Sequence, residues 1–183
     1  MNRARLRHAG RMTFDAVSFG IATLPYDRVD ASAGTDVVCI FVNGRELRDI
    51  VSAAQAADAD ATALYSPPPA SWVLPPRRHR LDQPDPRLTK GRWSVVYTCS
   101  CGDWECGALM ARIRIDDDLV AWSDFLSPHE LDLLAEDPRR ATQVVGARRR
   151  LGPYRFDRTQ YESALGSAER VAWPYPPPSG TDG

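Results

Sequence analysis

The segment 92-RWSVVYTCSCGDWECGALMARIRIDDDLVAWSDF-125 contains three runs suited to β-strands, separated by two different connections. The first run, 92-RWSVVYTC-99, is rich in β-branched and aromatic residues. In the second, 108-ALMARIRI-115, Leu109, Ala111, Ile113 and Ile115 alternate with Met110, Arg112 and Arg114. Asp116, Asp117 and Asp118 make a polar turn into the third, 119-LVAWSDF-125. Alternation with a period of two sends one set of side chains to a core and the other to water. The segment therefore predicts a three-stranded antiparallel meander, about 92–125, whose first connection carries Cys99, Cys101 and Cys106.

Three of the four cysteines lie within that connection, 99-CSCGDWECG-107. In an extended segment alternate side chains share a face, so Cys99 and Cys101 can present both sulfurs to one point. Gly102 permits a tight turn that brings Cys106 back, and three thiolates can then meet one zinc ion, leaving a fourth tetrahedral position. His129 and Cys39 are the candidates for it, with Asp103, Glu105 or water behind them. Two other readings stay open: reduced thiols that only pack, and a redox pair of Cys106 with Cys99 or Cys101. A bond between Cys99 and Cys101 themselves would be strained.

Upstream of the meander, 36-DVVCIFV-42 reads as a buried strand, and 12-MTFDAVSFGIATL-24 as a further strand. A helix is expected after Asn43, with Asn43 as its cap, Glu46 completing a capping box, and Leu47, Ile50, Val51 and Ala54 at helical spacing. Residues 65–90 are rich in proline and predict a long irregular loop pinned by Trp72, Val73 and Leu74. Downstream, Ser127, Pro128 and Glu130 start a helix that stops by Pro138. The run 151-LGPYRFD-157 reads as a short edge strand or extended segment, and Asp157 with Gln160 caps a helix to about Arg170.

These elements predict an α+β fold, a mainly antiparallel sheet packed by two or three helices. The expected organisation is a flexible N-terminus (1–11), one domain (12–171) containing the proline-rich loop, and a proline-rich tail (172–183). With 183 residues, 43% of them hydrophobic, the chain is long enough to bury one full core. Its formal net charge of -1 supplies no global field for nucleic acid or an anionic membrane. The basic start, 1-MNRARLRHAGRM-12, lacks the apolar region of a secretory signal, and no run reaches the ~18 apolar residues of a spanning helix. A cytoplasmic protein is expected, and in a reducing compartment clustered cysteines point to metal or redox chemistry before structural disulfides.

The remaining features are bland. The aspartate run lacks the spaced ligands of a calcium loop. The arginine runs 77-RRHR-80 and 148-RRR-150 read as solvated charge. The sequence holds no nucleophile elbow, P-loop, dinucleotide fingerprint or zinc-protease motif, so no active site beyond the thiols is expected.

Four segments in order, 38-VCIFVNGREL-47, 99-CSCGDWECG-107, 120-VAWSDF-125 and 152-GPYRFDRTQYESAL-165, resemble those of a family of uncharacterised bacterial, largely actinobacterial, proteins. Their pattern is a VNG segment, a CSCGxxxC loop, a VxWxxF strand and a C-terminal GPxxFDxxQYxxAL segment. The resemblance implies that the cysteine loop and the C-terminal segment share one domain, and it implies no particular activity. The function expected from the residues is a non-catalytic accessory or interaction module with a zinc-holding cysteine loop and an unknown protein partner. A thiol-dependent redox enzyme is the alternative, and a toxin-neutralising immunity protein the next. An exposed sheet edge would favour a homodimer.

Overall fold

A computed structural model describes residues 13–24, 35–55, 65–74, 89–90, 92–99, 107–136 and 151–172. In sequence order the elements are β1 (Val17–Leu24), β2 (Thr35–Val42), β3 (Arg45–Glu46), α1 (Leu47–Gln55), β4 (Tyr65–Ser66), α2 (Ala70–Val73), β5 (Thr89–Lys90) and β6 (Trp93–Cys99). They continue with β7 (Leu109–Ile115), β8 (Leu119–Leu126), α3 (Pro128–Glu136), β9 (Tyr154–Asp157) and α4 (Arg158–Ala172). The fold is α+β and mainly antiparallel sheet, as the patterning predicts. One sheet has the order β1-β2-β3; a larger one runs β4-β6-β7-β8-β9, with β5 also paired to β6.

The expected meander is β6-β7-β8, and two irregularities in it determine what enters the core. Val95 faces Met110 and Tyr97 faces Leu109, which leaves Val96 as an extra residue. Across such a bulge two consecutive side chains take the same face. Val96 and Tyr97 accordingly both join the main core, while Val95 belongs to a second cluster. On β8, Ser123 faces Arg112 and Leu126 faces Met110, so two residues oppose Ala111. Asp124 absorbs the surplus at φ 53, and Trp122 and Phe125 both turn inward. The Trp93 indole N–H donates to the Asp124 carbonyl at 3.0 Å, holding the bulge.

Met110 also departs from simple alternation, because α3 covers the other face of the sheet at that end. Leu131 and Leu134 pack there with Val95, Ala108, Met110 and Leu126. The start of α3 is the capping box that the residues predict: the Ser127 N–H donates to Glu130 Oε2 at 2.6 Å, and the Glu130 N–H donates to Ser127 Oγ at 3.3 Å. At the start of α4, the Gln160 N–H donates to Asp157 Oδ1 at 2.9 Å, also as expected. Within the proline-rich region Val73 and Leu74 are buried and Trp72 packs against the second cluster, so all three act as anchors. Residues 75–88 lie outside the described residues, as do the N-terminus to 12 and the tail from 173.

One helix start differs from expectation. Asn43 (φ 52) and Gly44 (φ 77) form a two-residue turn with Val42 paired to Arg45, and α1 begins only at Leu47. Positive φ at two successive residues is the hairpin geometry that Asn-Gly accommodates, and it rules out Asn43 as the cap of α1. Glu46, assigned by sequence to a capping box, instead has Oε2 3.2 Å from the Arg48 guanidinium.

The two sheets are joined at both margins. At one, the Val38 N–H donates to the Pro68 carbonyl at 2.9 Å, and Val37 bridges Pro69 just beyond β4. At the other, the Asp15 N–H donates to the Arg155 carbonyl, and the Arg155 N–H donates to Asp15 Oδ2 at 2.9 Å. Backbone pairing together with chain continuity thus runs β1, β2, 68–69, β4, β6, β7, β8, β9 and back to residue 15 just ahead of β1, a circuit around the main core that residue 15 alone closes at this margin. β9 is the last strand of the larger sheet, as expected of an edge strand, and its outer side is bonded by residue 15 at Arg155. α4 packs along β1, and its Tyr161 meets Phe19 and Trp122 edge-on, with ring centroids 5.6 and 6.0 Å apart.

Candidate functional site

Antiparallel pairing brings one rim of the larger sheet to the cysteine connection. Tyr97 faces Leu109 and Met110 faces Leu126, so β6 ends, β7 begins and β8 ends on the same side. Cys99 is the last residue of β6, half-buried, and its backbone pairs with Tyr65 of β4. Cys101 and Cys106 lie outside the described residues. His129 is exposed in the first turn of α3, three residues beyond Leu126, on the same rim. Among the described residues no group of three or more His, Cys, Asp or Glu side chains is arranged to hold a metal ion.

Cys39 has a different setting. It lies mid-strand in β2 opposite Gly20, half-buried and outside any disulfide. Burial pushes its thiol up from an ordinary 9.0, the Glu46 carboxylate adds to the rise, and the Arg48 guanidinium opposes it. A thiol so placed stays protonated near neutral pH and is a poor nucleophile.

The same corner holds two polar groups that sequence reading passes over. Tyr97 crosses the core from β6 and is fully buried, with its hydroxyl facing the backbone N–H groups of Ile40 and Arg48. Neither makes a well-formed hydrogen bond to it, and Glu46 Oε1 is likewise buried without a partner among the described residues. Burial first, then Glu46, push the Tyr97 phenol far above its ordinary 10.0. Tyr97 reads in sequence as one more apolar residue of a strand, and only the bulge at Val96 aims it inward. No local pattern announces it.

Because the fold prefers both groups neutral, the unfolded protein gives up their protons first, and stability falls as pH rises past 9.0 for Cys39 and 10.0 for Tyr97. Tyr97→Phe is expected to change stability by less than about 1 kcal/mol at neutral pH, since the hydroxyl it removes has no partner to lose. Above pH 10 the variant should outlast the parent in urea titrations. A parent and variant with the same alkaline decline would show that Tyr97 has no part in it.

Comparison with protein-family models, with curated proteins and with solved structures gives no match to this sequence. No helix among the described residues is long and apolar enough to cross a membrane.

Proposed function

We propose that this protein is a non-catalytic accessory or interaction module of a reducing compartment, with a zinc ion held in the β6–β7 connection by Cys99, Cys101, Cys106 and His129. The observation that carries the reading is the rim itself, where the pairing of Tyr97 with Leu109 and of Met110 with Leu126 gathers Cys99, both ends of the connection and the start of α3. Three thiolates and one imidazole are a usual tetrahedral donor set for structural zinc. A metal there would tie the hairpin to α3, organising a surface without performing chemistry.

The same observation favours His129 over Cys39 as fourth ligand. His129 is exposed and free to turn toward the connection, whereas Cys39 sits among Glu46, Arg48 and Tyr97 in surroundings that oppose ionisation. Zinc requires a deprotonated sulfur.

Metal content and thiol titration on protein purified under reducing conditions test the proposal. About one zinc per molecule is expected, released as three thiols become reactive. His129→Ala is expected to weaken zinc binding at least about tenfold while Cys39→Ser leaves it unchanged. Metal-free protein that reduces a disulfide substrate, with turnover lost in Cys106→Ser, would replace this reading with the thiol-dependent redox enzyme.

A further inference from the structure

Residue 15, which bonds β9 at Arg155, is itself tied to the β2–β3 turn by the side chain of Asn43, beside a backbone bond from the Asn43 N–H to the Ala16 carbonyl at 2.8 Å. Asn43 Oδ1 accepts the Ala16 N–H at 2.8 Å, and Asn43 Nδ2 donates to Asp15 Oδ1 at 2.9 Å. The other oxygen of the same carboxylate, Asp15 Oδ2, accepts the Arg155 N–H at 2.9 Å. A series of side-chain bonds thus runs from the β2–β3 turn through residue 15 to β9. Asn43 is exposed, and the residue after it is Gly44, which has no side chain to shield its backbone nitrogen.

We propose that Asn43 is a deamidation site and that its hydrolysis unlatches residue 15 from the β2–β3 turn. The Gly44 nitrogen attacks Asn43 Cγ, forming a new C–N bond as the Cγ–Nδ2 bond breaks and ammonia leaves. Water then opens the resulting succinimide to aspartate or isoaspartate; nothing is oxidised or reduced. In the closed latch both polar atoms of the Asn43 amide are engaged, so reaction proceeds from the open form and its rate follows the frequency of opening. The product cannot close again in the same way. A carboxylate at position 43 keeps an acceptor for Ala16 but loses the donor to Asp15 and sets two negative charges face to face.

Three arms test this on the full-length protein. Incubated folded at mildly alkaline pH, it should gain the mass of an amide-to-acid conversion at residue 43, more slowly than when unfolded in urea. Asp15→Ala, which opens the latch, should speed that conversion several-fold. Asn43→Asp should melt roughly 4 °C lower than the parent. The exchanged pair Asp15→Asn with Asn43→Asp should recover most of the loss, because an amide at position 15 could donate to a carboxylate at position 43 and still accept from Arg155. An unchanged rate in Asp15→Ala overturns the gating, and a double variant as unstable as Asn43→Asp alone overturns the latch.

Discussion

Trp122→Ala is expected to destabilise the protein by about 3–5 kcal/mol, enough to remove a large part of the stability of an ordinary domain. Trp122 is the largest of the fully buried side chains among the described residues. Its ring meets Phe156 and Tyr161 edge-on, with centroids 5.5 and 6.0 Å apart, and so joins β8, β9 and α4. Truncation would leave a hole lined by rings that the closed circuit of strands prevents from collapsing. Trp122→Phe separates the sources of that loss. It keeps most of the aromatic contact and removes an indole N–H that has no hydrogen-bond acceptor among the described residues. Its cost should stay below about 2 kcal/mol. Urea unfolding of both variants gives the comparison, and equal losses would mean that packing of this ring against Phe156 and Tyr161 is not what holds the three elements together.

Gly152→Ala should cost about 2–3 kcal/mol by the same measurement. The position has φ +74, and a Cβ there would lie 3.0 Å from the Tyr154 backbone nitrogen and 3.3 Å from the Trp122 carbonyl. Both obstacles are backbone of the β8–β9 pair and cannot swing aside. Gly44→Ala is the control, since its φ of +77 is nearly identical but, among the described residues, nothing beyond its chain neighbours lies within 4 Å of the added Cβ. Its cost should reflect the left-handed conformation alone, about 1 kcal/mol. If the two substitutions prove equally costly, close approach at Gly152 contributes nothing.

The meander was legible because its strands alternate and its turns are polar, and the starts of α3 and α4 because Ser127, Glu130, Asp157 and Gln160 use local hydrogen bonds that a short window contains. What escaped was whatever depended on partners far along the sequence. The bulges at Val96 and Asp124 leave no compositional trace, yet they decide that Tyr97 and Phe125 face inward. Asn43 suits a helix cap and a tight turn equally well by composition; positive φ at Asn43 and Gly44 resolves the choice. Asp15 reaches Arg155 across 140 positions, a separation over which no spacing rule operates. Among the metal candidates, the positions of Cys99 and His129 on one rim follow from the strand order that the sequence predicts. The surroundings of Cys39 do not, because Glu46 and Tyr97 reach it from β3 and β6.

The stitching of the two sheets also bears on how copies of the protein can meet. A long unpaired strand margin invites a second molecule to extend the sheet, which is how dimers form by strand addition and how cross-β aggregates begin. Among the described residues β1 ends its sheet, paired with β2 alone, and the Gln160 side-chain amide donates to its Val17 carbonyl at 3.0 Å. The outermost short ones, β3 and β5, are two residues each and offer too little backbone to template a partner. Of the long strands, β1 is therefore the one whose outer margin a second copy would have to use, and the Gln160 amide bonded to the Val17 carbonyl would have to give way there.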